Sequence, residues 1–474
     1  MTETTRRTPA LWPWLAAGLG VAVPWFLYVC SVGLPNRVRG DALAYLRLAA
    51  NARSLADVLG YAGERTLGFP AFLYALRLPF ERVAALGPET LGAFVNALAV
   101  VLFAVHVLSS VVFFLRMREI LRPALEAPLH PAALALLVAY PGLVAYTTVP
   151  LTDTLAADLL MLGVVLCLPR PTAASSSRLA RAGGAGLLLG ALVLVRPSAL
   201  TTTAAVLLVA LAQALWRDQA QASVLALSIA VWAGLVGWQA HTCMRAYGEV
   251  CLLDPAVTRK ALAESVSWGT TSARHYWSRH ATNVEGRVTV VDPLLTSVLG
   301  DECRARMLVG RDGILACLVA RPVAYPLLLL KKSIGLFDAY QLQPYAVDVT
   351  PRWARLASRP FGALAFAGLV AVAGWLAFLL RAEPRSPLVI VLSVPVVHVA
   401  WQALFHVEAR YGLAAVPFSL VMLVATAQYL PRLGRAWRAA VVLALIVAGV
   451  GFLAQTSSWD AGDEVLRRIE SGPQ

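Results

Sequence analysis

Asp41 stands in the stretch Arg39-Gly40-Asp41-Ala42-Leu43-Ala44-Tyr45, directly after the first long apolar run of the chain. A carboxylate at a membrane boundary is costly unless something pairs with it or uses it, and its natural use there is to take a proton from a hydroxyl as a general base. A helix over Ala42–Ala52 would set Asp41 at the N-cap with Tyr45 one turn on, so plain helix capping is the alternative reading. Other chemistry-bearing side chains recur beside apolar runs: Arg65 in RTLGFP, Asp153 after Thr152, Arg196 before Pro197, and Glu408, Arg410 and Tyr411 in HVEARYGL. Lys331 and Lys332 end the run AYPLLLLKK. Arginine offers a planar fork to phosphate oxygens and lysine a point charge, so Arg410, Arg65, Arg196, Lys331 and Lys332 are candidates to hold a donor's phosphate. Snorkelling to lipid headgroups is the alternative for the two lysines. Asp153 is a candidate to orient an acceptor, to hold a divalent cation, or to cap the run that follows it.

These residues need a scaffold, and composition names its class. The chain has 474 residues, 59% hydrophobic and 14% charged, with a mean hydropathy of +0.68. Apolar windows of about 18 to 25 residues recur along it, which places it among polytopic all-α membrane proteins. Hydropathy marks about eleven spans: Leu11–Leu34, Leu91–Leu115, Ala132–Thr148, Leu155–Leu168, Gly183–Val195, Leu200–Trp216, Ala222–Ala240, Phe361–Leu380, Pro387–Phe405, Leu413–Leu430 and Ala439–Ala454. The first is long for a signal peptide and lacks a small-residue cleavage site, so it reads as a retained anchor with a cytoplasmic N-terminus.

From that start, the connections Arg116–His130, Pro169–Ala182, Arg217–Gln221, Arg381–Ser386 and Pro431–Arg438 fall on the cytoplasmic side, and each is short and carries arginine. Two longer external segments remain, at 35–89 and 241–360, ahead of the closing spans in 361–474, and the stretches Ala42–Ala52 and Pro322–Leu336 read as interfacial helices. The formal charge of +13 sits mainly in loops that flank spans, where it meets anionic lipid, which argues against nucleic acid as a partner.

Six cysteines form no metal-binding spacing. Four of them, Cys243, Cys251, Cys303 and Cys317, lie in or beside the long external segment, and Cys251 with Cys303 is a candidate bridge. His241, His275, His280 and His406 show no zinc-site spacing, and Tyr276 and Trp277 read either as sugar-stacking rings or as interface anchors.

The ordered set of blocks carries a resemblance. Asp41 with Tyr45, the turn Arg65–Pro70, YPGLVAYTTVPLTDTLAADLL with Asp153, LVRPSAL with Arg196 and Pro197, and HVEARYGLAAVPF with Glu408, Arg410 and Tyr411 fall at external span ends. Together they resemble the GT-C superfamily of integral-membrane glycosyltransferases, in the branch of protein O-mannosyltransferases and the lipid A aminoarabinose transferase. The resemblance implies a GT-C-like bundle, a polyprenyl-phosphate sugar donor, Asp41 as the catalytic carboxylate, and Tyr45, Tyr411 and Glu408 as substrate contacts. Two departures accompany it: many relatives carry a second acid after the first, where this chain has Ala42, and many carry Glu where this chain has Asp153.

The expected activity is transfer of a hexosyl or pentosyl unit to a glycan, lipid or protein acceptor on the outer face of a bacterial inner membrane, as a step of cell-envelope glycan biosynthesis. No cofactor is required by the sequence beyond the candidate cation. A transporter or lipid-linked sugar flippase would instead place ionisable groups inside several spans, and an oligosaccharide ligase or polymerase would move a preassembled glycan.

Overall fold

The computed structural model describes residues 10–32, 37–38, 40–61, 63, 65–77, 88–169, 175–217, 219–259, 272–277, 287–291, 319, 321–338, 352–404 and 408–471. In chain order the first helices are α1 Trp12–Ser31, α2 Gly40–Asn51, α3 Leu55–Leu59, α4 Gly68–Arg77, α5 Pro88–Leu125, α6 Ala132–Ala139, α7 Pro141–Thr147 and α8 Asp153–Cys167. They are followed by α9 Ser175–Val195, a 3-10 turn at Pro197–Ala199, α10 Leu200–Arg217 and α11 Gln219–Tyr247. The closing part holds α12 Ala324–Leu336, α13 Arg352–Ala382, α14 Leu388–Ala403, α15 Ala409–Gly412, α16 Val416–Tyr429 and α17 Arg435–Ser471. Within the long polar segment, where interfacial helices are expected, α12 forms. It is accompanied by a two-stranded antiparallel ribbon, β1 Ser272–Trp277 with β2 Arg287–Val291.

Over their described residues all eleven apolar runs are largely helical, but they divide into two kinds. Among the described residues seven helices, α1, α5, α9, α10, α11, α13 and α17, are long and apolar enough to cross a bilayer, and the chain is an integral membrane protein on that ground. The others are shorter and sit inside. Twelve of the fifteen residues of α8, nine of the fourteen of α16 and twelve of the sixteen of α14 are buried. A helix enclosed by protein has its boundaries set by its neighbours rather than by the bilayer, so it can be short. The run Ala132–Thr148 is broken at Pro141: Tyr140 is extended at φ −61° and ψ 114°, as a residue before proline is driven to be, and the chain restarts as α7.

Lipid is as apolar as leucine, so these contacts rest on close packing more than on exclusion of water. Phe113 of α5 meets Phe418 of α16 edge to face at 4.9 Å, and Phe366 of α13 meets Phe452 of α17 at 5.9 Å. Two close approaches require glycine. A Cβ on Gly68 would lie 2.6 Å from the backbone carbon of Leu194, and one on Gly412 would lie 2.0 Å from the carbonyl oxygen of Leu336.

The two ends of the bundle separate chemically. At one end Arg116 donates to the carbonyls of Leu168 and Pro169, Arg181 to Leu166 and Leu168, Gln213 to Pro384 and Ser386, and Arg432 to Ala124. These are the short arginine-bearing connections, gathered together. At the opposite end of α5, Arg37 donates to Thr148, Asn96 and Val95, and the candidate site lies beside it.

Replacing Gly412 or Gly68 by alanine is expected to lower the thermal unfolding midpoint in detergent, by the equivalent of about 1–3 kcal/mol for overpacking. Gly374→Ala, where a Cβ meets nothing within 4 Å, is expected to leave it unchanged or raise it.

Candidate functional site

Asp41 enters the site through the turn that opens α2. Gly40 has φ +49°, a conformation glycine adopts freely, and the helix begins there. Asp41 therefore lies within the first turn rather than at the N-cap that a helix starting at Ala42 would give it. Its Oδ1 accepts from Arg65 Nη2, and Arg410 Nη2 lies 3.4 Å from its Oδ2. Positions 41 and 410 come from nearly opposite ends of the sequence, and this contact closes the site.

Arg65 is carried by a turn that three neighbours fix. Gly68 rests on Leu194, the amide of Leu67 donates to Gln239 Oε1 at 3.4 Å, and the carbonyl of Gly63 accepts from the amide of Asp254 at 2.9 Å. Gln239 also donates to the carbonyl of Leu252 at 3.0 Å, and a disulfide joins Cys243 to Cys251 with 5.5 Å between Cα atoms. The expected pairing of Cys251 with Cys303 is thereby corrected: Cys243, near the end of α11, takes Cys251 across one short loop, while Cys303 and Cys317 lie outside the described residues.

Arg196 arrives by the same logic. Pro197 drives the residue before it into an extended conformation, with φ −145° and ψ 98°, so α9 stops at Val195 and the guanidinium leaves the helix axis. It pairs with Asp153, the first residue of α8, whose side chain is 1% exposed. Two guanidiniums lie over the Tyr411 ring, with Arg196 Cζ 4.9 Å and Arg410 Cζ 5.2 Å from its centre, both within cation–π range. Glu408 accepts from Arg410 Nε and, at 3.4 Å, from the Tyr411 hydroxyl. Arg65 covers the ring of Tyr45 at 5.6 Å, and that ring packs edge-on against Phe69 at 5.1 Å. Burial pushes the Tyr45 phenol up to about 12, and burial followed by the charge of Glu408 raises that of Tyr411. Both rings stay neutral under ordinary conditions and serve as surfaces and donors rather than bases.

Eight sequence candidates thus share one constellation: Asp41, Tyr45, Arg65, Asp153, Arg196, Glu408, Arg410 and Tyr411. Asp41 differs from the other two carboxylates in access, at 37% exposed against 1% for Asp153 and 4% for Glu408. Lys332 is buried on α12, the helix that meets Gly412, and Lys331 is half-buried beside it. Among the histidines considered from sequence, His241 is exposed, His280 and His406 lie outside the described residues, and so do the side chains of His275, Tyr276 and Trp277.

No protein-family model and no curated protein matches the chain. Among solved structures it is similar to the archaeal oligosaccharyltransferase AglB from Archaeoglobus fulgidus, in complex with an inhibitory peptide and a dolichol-phosphate, at 15% identity and a TM-score of 0.44. That alignment covers 93% of this chain and 56% of the archaeal one, so the chain spans little more than half of that relative. The apo form of the Archaeoglobus fulgidus enzyme gives 16% identity, a TM-score of 0.45 and the same two coverages. ArnT from Cupriavidus metallidurans bound to undecaprenyl phosphate gives 15% identity and a TM-score of 0.36, over 89% of this chain and 78% of that one. The chemistry that follows is drawn from this chain's own side chains.

Two supports were not legible beforehand. The carbonyl of Tyr411 can only accept, so His398 donates to it through Nε2 at 2.7 Å, which leaves Nδ1 to accept from the Thr202 hydroxyl at 3.1 Å. His398 therefore struts α10 and α14 to the turn that presents Arg410. Arg37, four residues before Asp41, is buried and spends its donors on Thr148 at 2.8 Å, Asn96 at 2.6 Å and Val95 at 3.4 Å, tying the entry of α2 to the turn before α8. The signal for both was a lone polar residue in or beside an apolar run.

Among the described residues no three metal-ligating side chains come together, and Asp41, Asp153 and Glu408 each already hold a guanidinium.

Arg196→Met is expected to strand the buried carboxylate of Asp153 and to cost about 3–5 kcal/mol. Adding Asp153→Asn to that variant is expected to recover much of the loss, read as the order of unfolding midpoints in a double-mutant cycle.

Proposed function

We propose that this chain is a membrane glycosyltransferase of the GT-C kind that moves one hexosyl or pentosyl unit from a polyprenyl-phosphate-linked donor to a hydroxyl of a glycan, lipid or protein acceptor. The observation that carries this reading is the contact of Asp41 with Arg65 and Arg410: one accessible carboxylate, faced by guanidiniums, at the end of a membrane bundle. A hydroxyl acceptor needs a base, and a departing phosphate needs cations, and this site offers both within one contact distance.

The step is an in-line displacement. Asp41 accepts the proton of the acceptor hydroxyl, the freed oxygen attacks the anomeric carbon, and the bond from that carbon to the donor phosphate oxygen breaks with its electron pair left on the phosphate. A single displacement inverts the configuration, and a phosphate leaving group needs no separate acid. Arg410 holds Asp41 by its longer contact, at 3.4 Å, so its fork can turn toward an arriving phosphate while Arg65 keeps the base oriented. Arg196 and Asp153 form the wall behind Tyr411, where an acceptor is oriented.

An apolar groove of about 630 Å³ supports the lipid part of the reading. It runs between α10, α12, α13 and α14, lined by Thr201, Leu329, Ser333, Ala373, Val396 and Trp401, and suits a prenyl chain. Thr201 adjoins Thr202, and through His398 the groove wall reaches the Arg410 turn. Two observations favour an external site on a bacterial inner membrane. The short arginine-rich connections gather at the other end of the bundle, as they do on a cytoplasmic face. The Cys243–Cys251 disulfide braces the Arg65 turn, and such bonds persist in oxidising compartments.

Asp41→Asn is expected to lower sugar transfer from a polyprenyl-phosphate donor by about 10²–10⁴-fold, with donor binding within a few-fold of the parent protein. Unchanged turnover in the purified variant would remove Asp41 as the base. Movement of intact donor lipid across vesicles without sugar release would favour the transport reading instead.

A further inference from the structure

Gln239 is a polar residue on an apolar stretch of α11, fully buried, and no part of the transfer step uses it. A buried amide is costly unless it is hydrogen-bonded, and this one is bonded through both of its atoms. Oε1 accepts from the amide of Leu67 at 3.4 Å, and Nε2 donates to the carbonyl of Leu252 at 3.0 Å. One side chain thus joins α11, the turn that carries Arg65, and the loop that follows α11.

That loop is itself held. Gly248, at φ +74°, turns the chain back at the end of α11, and its amide donates to the carbonyl of Met244 at 2.8 Å, a glycine closure of the helix end. Cys243 lies one turn on from Gln239, on the same face of α11, and its disulfide ties Cys251 beside Leu252. Two residues past Leu252, the amide of Asp254 donates to the carbonyl of Gly63 at 2.9 Å. The Asp254 carboxylate accepts from the amide of Ala256 at 2.8 Å, so this donor is fixed as the cap of the turn that follows it.

Arg65 stands between the two points where its turn is held. Gly63, two residues before it, is pinned through Asp254, and Leu67, two residues after it, through Gln239. The Arg65 guanidinium meets Asp41 Oδ1 and covers the Tyr45 ring at 5.6 Å. Moving either pin moves the group that sets the Asp41 carboxylate, and a displacement of about 1 Å in an orienting group costs about 10²-fold in rate.

We propose that Gln239 is a positioning residue of this site and that the disulfide-closed loop 248–254 is the frame it works against. Together they fix Gly63 and Leu67 on either side of Arg65, so that Arg65 holds Asp41 in the orientation from which it takes the acceptor proton. This role rests on the transferase reading above and deepens it. Gln239 acts through Leu67 and Arg65, while the donor lipid is held by Arg410 and the apolar groove, so loss of the support slows the step without loosening the donor.

The test uses the full-length protein in detergent. Gln239→Met keeps the length of the side chain and removes both hydrogen bonds, and Cys243→Ala with Cys251→Ala removes the frame and leaves Gln239 in place. In each variant the amide of Leu67 is expected to exchange hydrogen at least about tenfold faster than in the parent protein. With a polyprenyl-phosphate-linked sugar as donor, kcat is expected to fall about 10–100-fold with KM for the donor within a few-fold, the pattern of support felt only in the transition state. In an Arg65→Gln background either change is expected to lower kcat no further, whereas a loss of general stability would add to the Arg65→Gln loss. Should Gln239→Met fail to fold, the cysteine pair carries the same comparison. Parent-like kcat, unchanged exchange at Leu67, or full additivity with Arg65→Gln would each overturn the positioning role and leave the transferase reading standing. A parent protein that transfers no sugar would overturn both.

Discussion

The pairing of carboxylates with guanidiniums at one end of an apolar bundle governs the rest of this structure. A charge removed from water without a partner is too costly to keep, so any helix that brings an acid to this place obliges another segment to bring a base. Asp41, Asp153 and Glu408 come from three segments, and Arg65, Arg196 and Arg410 answer them from turns spread over the chain. Pro197 ends the helix before Arg196 and turns its side chain out, while Gly68 and Gly412 let the segments that carry Arg65 and Arg410 lie against Leu194 and Leu336.

Division of labour among the helices follows from the same requirement. Among the described residues seven long helices are apolar enough to cross a bilayer, and the shorter α6, α7, α8, α14 and α16 pack within them. A site made of turns needs irregular backbone at membrane depth, and that is tolerated only where protein or a cavity surrounds it. The enclosed helices supply such surroundings. Asp153 heads α8, His398 lies on α14, and the Arg410 turn leads into α16, so the inner set supplies part of the constellation, beside Asp41 of α2 and Arg196 at the end of α9.

Sequence alone gave the apolar runs and the residues of the constellation, because hydropathy is a local property and an ionisable group at a span end stands out against it. It did not give what depends on distant partners. His398 looks like one polar residue in VPVVHVAW until Thr202 and the Tyr411 carbonyl are placed on either side of its ring. Arg37 looks like loop charge until three acceptors close around it. Cysteine pairing failed for a related reason: spacing cannot say that α11 continues to Tyr247 and sets Cys243 across a short loop from Cys251. Where each helix begins is the least legible feature of any helix in sequence, and here it puts Asp41 and Asp153 in a first turn.

A second ionisable pair lies outside the site and bears on the choice between transfer and transport. His106 of α5 and Asp158 of α8 meet at 3.0 Å with almost no exposure, and His106 also reaches the carbonyl of Leu137 at 3.3 Å. A transporter needs such groups along a path, exchanging partners as the path opens. Here the pair is clamped between three packed helices, and Asp158 stands five residues beyond Asp153 on the same helix. Any rotation of α8 that broke the pair would also carry Asp153 away from Arg196. The pair therefore fixes the rotation of α8 about its axis, and by doing so it helps to hold Asp153 against Arg196.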